Sequence, residues 1–296
     1  MLVIASRGSQ LAMWQAQWVQ KQLAALGEPS RIEIIKTTGD KIQDVPLAQV
    51  GAKGLFTKEI EEALLAGRAD LAVHSLKDLP TELPAGLVLA ATPEREDPRD
   101  AMVGRRLADL PAGAKLGTSS LRRAAQLRKF RPDLEIEPVR GNLDTRLRKL
   151  DAGQYDAIVL AAAGLRRLGW EDRIAEILPP DVVCPAVGQG SLAIETAAGH
   201  EQICAQLEHA PTRAAVTAER ALLAALGGGC QVPIGAYATV VGERLSLQAV
   251  VVSPDGGTLI RRQSEGLAMD AAAIGRSLGE TLLAAGADEI LESVYG

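Results

Sequence analysis

Basic side chains recur in this sequence close to where predicted strands end. Residues 119–123, Ser-Ser-Leu-Arg-Arg, combine a serine-capped helix start with two guanidinium groups in one turn. In open parallel sheets the ligand lies beyond the carboxyl ends of the strands, where helix N-termini add N–H groups and partial positive charge. Because an arginine binds a carboxylate through two hydrogen bonds, the pattern predicts a ligand with several carboxylates or phosphates. Solvated helix faces are the alternative for any one residue of the set, which is Arg7, Lys77, Arg122, Arg123, Arg140, Arg146 and Arg167.

An acidic residue, Asp78, follows an apolar predicted strand and stands beside Lys77. Positive charge nearby keeps a carboxylate ionised at neutral pH. Such a group could stabilise a cationic intermediate and move a proton at a leaving amine. The alternative is an aspartate that caps a turn before Pro80, and the residue pattern alone slightly favours it. His74 lies within the strand and is interpreted as a buried, hydrogen-bonded histidine.

Cys230 follows three glycines, which predicts a thiol on a flexible loop that can be reached from several directions. No histidine is near it in the sequence, so a nucleophile of the Cys–His type is unsupported. An attachment point for a covalent group fits better, because an anchor needs access more than a strong base. A small apolar filler residue is the alternative, and the more frequent fate of a free cysteine. Cys184 and Cys204 are interpreted as fillers.

Alternating strands and helices must position these residues. Strands are predicted at 2–6, 31–38, 69–74 and 87–92, with helices at 10–26 and 56–66. After the charged, proline-bearing segment 93–100, a second α/β unit includes a buried strand at 155–162. A break at 183–190 indicates a return to the first domain. A helix at 214–226, three antiparallel strands at 234–241, 245–252 and 258–266, and a closing helix at about 271–291 complete the chain.

Composition narrows the class of protein. Hydrophobic residues make up 47% of the 296 residues and aromatic residues only 3%, which favours α/β cores of Ala, Leu, Val and Ile. A net charge of −5 argues against nucleic acid as a general partner. Three cysteines without CxxC spacing indicate free thiols rather than disulfides or a metal site. With no apolar run long enough for a bilayer and no signal-like N-terminus, a cytoplasmic protein without a membrane partner is expected.

The sequence closely resembles the porphobilinogen deaminase family. The resemblance covers nearly the whole chain, and only the part after Val241 has weak motifs. It rests on IASRGSQLAMWQA, KGLFTKE, ADLAVHSLKDLP, LGTSSLRRAAQL, VRGNLDTRL, YDAIVLAAAGLRRLG, PAVGQG, VTAERA and GGGCQVPIGAY, in this order.

This resemblance implies an α/β fold of two lobes similar to those of periplasmic binding proteins, joined by two hinge crossings. A small C-terminal α+β domain with a three-stranded antiparallel sheet would follow. On this plan residues 1–95 and 188–210 form lobe 1, residues 96–187 form lobe 2, and residues 211–296 form the C-terminal domain. A monomer is implied.

The resemblance also implies a transferase that joins four porphobilinogen molecules head to tail and releases linear hydroxymethylbilane for tetrapyrrole biosynthesis. Loss of ammonia from the substrate would give a cationic azafulvene, with Asp78 as the catalytic carboxylate. The implied cofactor is a dipyrromethane primer held by a thioether at Cys230, and no metal is implied. Since each pyrrole carries two carboxylates, the resemblance implies binding roles for the basic set and for two serines. These are Lys77, Ser119, Arg122, Arg123, Arg140 and Arg146 toward the cofactor, and Arg7, Ser9 and Arg167 toward the substrate.

Functions of other classes compete with this interpretation. A non-catalytic module that binds a small polycarboxylate would use the same crevice, but would need neither Asp78 chemistry nor a modified Cys230. It would normally be exported with a signal peptide. A thiol-dependent hydrolase centred on Cys230 lacks an assignable base. A family member that holds the primer but cannot elongate would match most motifs, and the presence of Asp78 argues against it.

Overall fold

Three β-sheets organise the part of the chain that this computed structural model describes, which is residues 1–41, 55–228 and 232–295. Two compact units are distinguished by their internal contacts. Unit 1 comprises Met1–Glu96 and Ser191–Arg213, and unit 2 comprises Asp97–Gly190 and Ala214–Gly296. The chain therefore passes from one unit to the other three times, after Glu96, Gly190 and Arg213.

The helices and strands follow the chain in this order. Up to Glu96 they are β1 (Leu2–Ser6), α1 (Gln10–Ala25), β2 (Ser30–Ile34), α2 (Thr38–Lys41), α3 (Lys58–Leu65), β3 (Leu71–Ser75) and β4 (Leu87–Ala91). Up to Gly190 they are β5 (Asp100–Val103), β6 (Lys115–Gly117), α4 (Leu121–Phe130), β7 (Glu135–Glu137), α5 (Leu143–Asp151), β8 (Ala157–Ala161), α6 (Ala162–Arg167) and β9 (Ile174–Ile177). The rest are β10 (Leu192–Ala197), α7 (Ala210–Ala225), β11 (Ile234–Val241), β12 (Arg244–Val252), β13 (Leu259–Leu267), α8 (Ala271–Leu282) and α9 (Asp288–Tyr295).

Unit 1 is built on a five-stranded sheet with the order β2-β1-β3-β10-β4. Strands β1, β2 and β3 are parallel, whereas β10 is antiparallel to both of its neighbours. Successive side chains point to opposite faces of a strand. Ile4 therefore packs against Val19 and Leu23 of α1, while Ala5 packs on the other face against Ile60 of α3. Both faces are covered, as apolar strands of this kind require.

Unit 2 contains the second five-stranded sheet, with the order β7-β6-β8-β5-β9. Strands β6, β7 and β8 are parallel, and β5 runs antiparallel between β8 and β9. Met102 and Val159 face one core with Leu127 of α4, and Ile158 faces the other with Leu147 of α5.

The third sheet also belongs to unit 2 and is fully antiparallel, in the order β11-β12-β13. Leu222 of α7 and Leu278 of α8 pack with Leu247 of β12 to form its core. A Cβ at Gly235 of β11 would lie 2.7 Å from the carbonyl oxygen of Cys184, so only glycine permits this close approach. The neighbouring amide of Ala236 donates a hydrogen bond of 2.9 Å to the carbonyl of Pro185.

The predicted fold class is confirmed: two α/β lobes are followed by a small α+β unit with a three-stranded antiparallel sheet. Three strands were not expected from the sequence, β5, β9 and β10. Of these, β5 and β10 each insert antiparallel into a five-stranded sheet. The expected closing helix is interrupted, because Gly286 has a φ of 93° that a helix does not contain. The expected three-domain boundaries stay a prediction. Among the described residues no helix is long and apolar enough to cross a membrane.

Candidate active site

Four of the predicted site residues lie at one edge of the sheet of unit 1. Strands β1 and β3 are parallel neighbours, so their carboxyl ends lie side by side. Arg7 follows β1 directly, and Ser9 caps α1 by accepting a hydrogen bond from the amide of Ala12 at 3.3 Å. Lys77 and Asp78 follow β3 in a short 3₁₀ turn, Leu76–Asp78. The sheet topology thus brings two cationic side chains and one carboxylate to the same edge.

Asp78 is exposed, although the turn that carries it is firmly held. Leu76 and Leu79, on either side, are buried, and the amide of Leu76 donates a 3.0 Å hydrogen bond to the carbonyl of Ser191. Asp78 is the last residue of this turn, which is closed by a 3.1 Å hydrogen bond from the amide of Leu79 to the carbonyl of Leu76. The carboxylate is presented outward on an anchored turn, which suits a group that acts on a bound molecule.

Arg7 has an aromatic neighbour, Phe56, which the sequence did not indicate as a site residue. Its guanidinium carbon lies 4.1 Å from the centroid of the Phe56 ring, at cation–π distance. The contact limits the positions open to the Arg7 side chain. Phe56 is one of only two phenylalanines in an aromatic-poor chain, and that rarity was the available signal.

In unit 2, Arg122 and Arg123 are buried and converge on the carboxylate of Asp100. Arg122 Nη1 lies 2.7 Å from Oδ2, and Arg123 Nε and Nη2 lie 2.9 and 2.7 Å from Oδ1. Gln189 Nε2 also donates to Oδ1, at 2.8 Å. The two guanidinium groups and one carboxylate carry a formal charge of +1, and Arg122 Nη1 and Arg123 Nη1 also donate to the carbonyls of Cys184 and Val159.

Ser119, Arg140 and Arg146 lie around the adjacent ends of β6 and β7. Ser119 Oγ donates a 2.8 Å hydrogen bond to the carbonyl of Val139, which ties the two strand ends together. Arg146, in the first half of α5, donates from Nε to the carbonyl of Gly141 at 2.9 Å. Gly141 has a φ of 107°, a conformation that favours glycine and lets the chain turn between Arg140 and α5. These contacts place basic side chains at the edge where a ligand was expected.

Arg167 lies at the end of α6, which follows β8 directly. Its Nη2 donates a 2.6 Å hydrogen bond to the carbonyl of Gly190, the last residue before the chain re-enters unit 1. Arg167 therefore shares the carboxyl edge of the parallel strands with Arg122 and Arg123 within unit 2.

Cys230, the predicted attachment point, lies outside the described residues, which end at Gly228 and resume at Val232. The other two cysteines are free and buried. Burial raises the pKa of Cys184 to about 12 and that of Cys204 to about 11. Both are therefore poor nucleophiles, in agreement with their interpretation as fillers.

The donor set of unit 2 suits a polycarboxylate such as dipyrromethane. Guanidinium groups supply directed N–H donors in a planar fork, which matches carboxylate oxygens. Among the described residues no group of three metal-ligating side chains is present.

Comparisons with known proteins decide the family. Residues 2–205 match the family described as "Porphobilinogen deaminase, dipyromethane cofactor binding domain", and residues 213–284 match "Porphobilinogen deaminase, C-terminal domain". The chain belongs to the porphobilinogen deaminase family.

Curated porphobilinogen deaminases are similar over almost the whole length. The protein of Geotalea uraniireducens is 52% identical over 301 residues, which is 99% of this chain and 95% of that one. The protein of Syntrophotalea carbinolica is 54% identical over 301 residues, covering 99% and 96% of the two chains. That of Gloeobacter violaceus is 53% identical over 307 residues, covering 99% and 94%. The resemblance seen in the sequence motifs is thereby confirmed.

Solved structures show only distant similarity. A periplasmic substrate-binding protein of an ABC transporter from Coxiella burnetii is 13% identical, covers 74% of this chain and 95% of its own, and has a TM-score of 0.43. The second substrate-binding domain of a putative amino acid ABC transporter from Streptococcus pneumoniae is 14% identical, covers 77% and 95%, and has a TM-score of 0.41. Similarity of this degree supports no inference about function.

Proposed function

We propose that this porphobilinogen deaminase joins four porphobilinogen molecules head to tail and releases linear hydroxymethylbilane, with Asp78 as the catalytic carboxylate. In each addition one carbon–carbon bond forms and one ammonia leaves, and water is consumed in the final release. The observation that carries the proposal is the exposed Asp78 carboxylate on an anchored turn, at the same sheet edge as Arg7, in a chain of this family.

Asp78 acts where charge develops during deamination. As the amine leaves porphobilinogen, positive charge spreads over the pyrrole ring and its N–H group. A fixed carboxylate stabilises that charge and requires no rearrangement at the moment of reaction. The same carboxylate is suited to handle the proton that the new carbon–carbon bond releases.

Basic and hydroxyl side chains hold the carboxylates of the reacting molecules. In unit 1 we assign Arg7 and Ser9 to the substrate, and Arg7 is oriented by Phe56. In unit 2 we assign Arg167 to the substrate as well. The assignment to the dipyrromethane covers Lys77, Ser119, Arg122, Arg123, Arg140 and Arg146. When bound, the dipyrromethane supplies the free α-carbon to which a pyrrole is joined.

Cys230 is the proposed attachment point, and the mass of the protein tests it. Freshly purified, denatured protein should exceed its sequence mass by two deaminated pyrrole units, and Cys230→Ser should not. Cys204→Ser is the matched control and should keep the added mass, because Cys204 is buried. An unmodified wild-type protein that stays unmodified after incubation with porphobilinogen would overturn the proposal and favour a binding-only relative.

The domain plan, location and assembly state are proposals too. Residues 1–95 and 188–210, 96–187, and 211–296 are proposed as three domains, supported by cores that lie on three separate sheets. We also propose that the protein is a cytoplasmic monomer without a nucleic-acid partner. The net charge of −5 supports the last of these three points. Light scattering after size-exclusion chromatography should give the mass of one chain, and a dimer mass would refute the monomer.

A further inference from the structure

A buried hydrogen bond joins two strands directly behind the Asp78 turn. His74 Nε2 lies 3.1 Å from Glu195 Oε2, and the two side chains are 4% and 0% exposed. His74 is in β3, four positions before Asp78, and Glu195 is in β10, the strand with which the chain re-enters unit 1. The bond therefore links the strand that carries the catalytic turn to the strand that follows a crossing between the units.

Strand register shows that this link extends to the turn itself. Ala193 is opposite His74 and Leu192 is opposite Ser75 in the antiparallel pairing of β10 with β3. The ladder continues with the hydrogen bond from the amide of Leu76 to the carbonyl of Ser191. Glu195 is two positions beyond Ala193 and hence lies diagonally from His74 on the same face of the sheet. A slip of β10 by one residue would move its side chains to the opposite face and break this bond.

Burying the ionisable side chains of this cluster is not expected to stabilise the folded protein. Glu61, a second carboxyl group, is buried on α3 beside the pair, and burial together with the charge of Glu195 raises the pKa of Glu61. One oxygen of each carboxyl group, Glu61 Oε1 and Glu195 Oε1, is buried and has no partner among the described residues. Burying ionisable groups costs more than burying apolar ones of similar volume. We therefore attribute the role of this cluster to positioning the strand end and not to stabilising the fold.

We propose that His74 and Glu195 are positioning residues for the reaction, and that their hydrogen bond fixes the end of β3 so that Asp78 is held where it acts. Neither residue touches the substrate; both act through the turn. This inference rests on the proposed catalytic role of Asp78. A displacement of about 1 Å at a reacting group is enough to cost on the order of 100-fold in rate.

The first experiment compares three variants of the primed enzyme with porphobilinogen as substrate. Glu195→Leu removes the acceptor and should lower kcat by roughly ten- to 100-fold, with KM within about twofold of the wild-type value. Glu195→Gln retains an acceptor oxygen at the same length and should recover most of kcat. Thr196→Val is the matched control, since its hydroxyl is equally buried on β10 and has no partner among the described residues. It should have wild-type kinetics.

The second experiment separates positioning from a general structural role. In an Asp78→Glu background, where the carboxylate is already displaced, Glu195→Leu should cost less than about twofold in kcat. Losses that multiply in the double variant, or wild-type kinetics for Glu195→Leu alone, would overturn the inference. If Glu195→Leu does not fold, His74→Gln provides the same comparison, with folding checked by circular dichroism. Undiminished activity of Asp78→Glu and Asp78→Asn would instead refute the proposed function.

Discussion

Arg123 binds Asp100 through two nitrogens that share one acceptor, with Nε 2.9 Å and Nη2 2.7 Å from Oδ1. Arg122 Nη1 donates to the other oxygen, Oδ2, and Gln189 Nε2 is the third donor to Oδ1. Asp100 opens β5 shortly after the chain enters unit 2, and Gln189 lies just before the chain leaves it at Gly190. One buried carboxylate thus connects the segments where the α/β part of unit 2 begins and ends.

Removing that carboxylate should strongly destabilise the protein. Asp100→Ala leaves two buried guanidinium groups without their anion, and the loss of one partner of a buried pair costs about 3–5 kcal/mol. Urea unfolding would measure the change. Glu33→Gln is the control, because Glu33 pairs with Arg31 on the surface and such pairs contribute about 0–1 kcal/mol. Equal changes in the two variants would contradict a dominant role for burial.

The same ion pairs predict how stability depends on pH. Burial acts to raise the pKa of Asp100, but Arg122 and Arg123 outweigh it and hold the pKa well below its usual range. The unfolded carboxyl group has a pKa of about 3.9. Because the folded pKa is lower, the stabilisation is fully present above about pH 4 and is lost as the pH falls through the folded value.

Unfolding free energies at pH 5, 4 and 3 would check this dependence. Below about pH 4 the unfolded state binds a proton that the folded state does not, so wild-type stability should fall as the pH falls. Asp100→Asn removes this titrating group, so the slope of the unfolding free energy against pH should decrease by up to about 1.4 kcal/mol per pH unit. An unchanged slope in the variant would show that other carboxyl groups dominate the acid response.

Asp78→Asn should retain the fold and lose turnover. Asp78 is exposed, and backbone hydrogen bonds together with the buried Leu76 and Leu79 anchor its turn, so the melting temperature should change little. The neutral amide cannot balance positive charge on the pyrrole or accept its proton, and kcat should fall by roughly 10²–10⁴-fold. Glu82→Gln, an exposed carboxylate change close by in the sequence, should leave kcat unchanged. Undiminished turnover in Asp78→Asn would remove Asp78 from the mechanism.

Arginine substitutions in unit 2 should interrupt elongation. Arg122→Ala, Arg140→Ala and Arg146→Ala each remove a charged donor worth about 1.5–3 kcal/mol toward a carboxylate. Enzyme-bound intermediates should therefore accumulate, or the primer should be missing, when the intact protein is examined by mass spectrometry. Arg148→Ala is the matched control on α5, because its side chain is 74% exposed and pairs with Asp144. A wild-type distribution in all three test variants would contradict a polycarboxylate site.

Strands β1, β3 and β8 could be predicted from the sequence because they are short, mainly apolar runs. The antiparallel strand β5 could not, because it has four residues and starts with the charged Asp100. Its burial depends on Arg122 and Arg123, more than twenty positions later. Local patterns contain no information about that pairing.

The site was predictable to a similar degree. The sequence motifs predict that Arg7, Asp78 and Arg122 lie just after strand ends. His74 was expected to be buried and hydrogen-bonded, and this is confirmed. Its partner Glu195 is 121 positions away and arrives through β10, a strand that the sequence did not indicate. Local sequence patterns could not predict contacts that form only when the chain returns to unit 1.

Cys184 and Cys204 should be unreactive in native Cys230→Ser protein. Burial raises the pKa of Cys184 to about 12 and that of Cys204 to about 11, so at pH 8 fewer than about one thiol in 10³ is ionised, and both are shielded. A thiol reagent should therefore label neither cysteine in the native variant within an hour, and both after unfolding in urea. Cys204→Ser protein that lacks the primer is the counterpart, and it should react at Cys230. Rapid labelling of the native Cys230→Ser variant would show that a second cysteine is accessible, and the assignment of a single attachment point would then need direct peptide mapping.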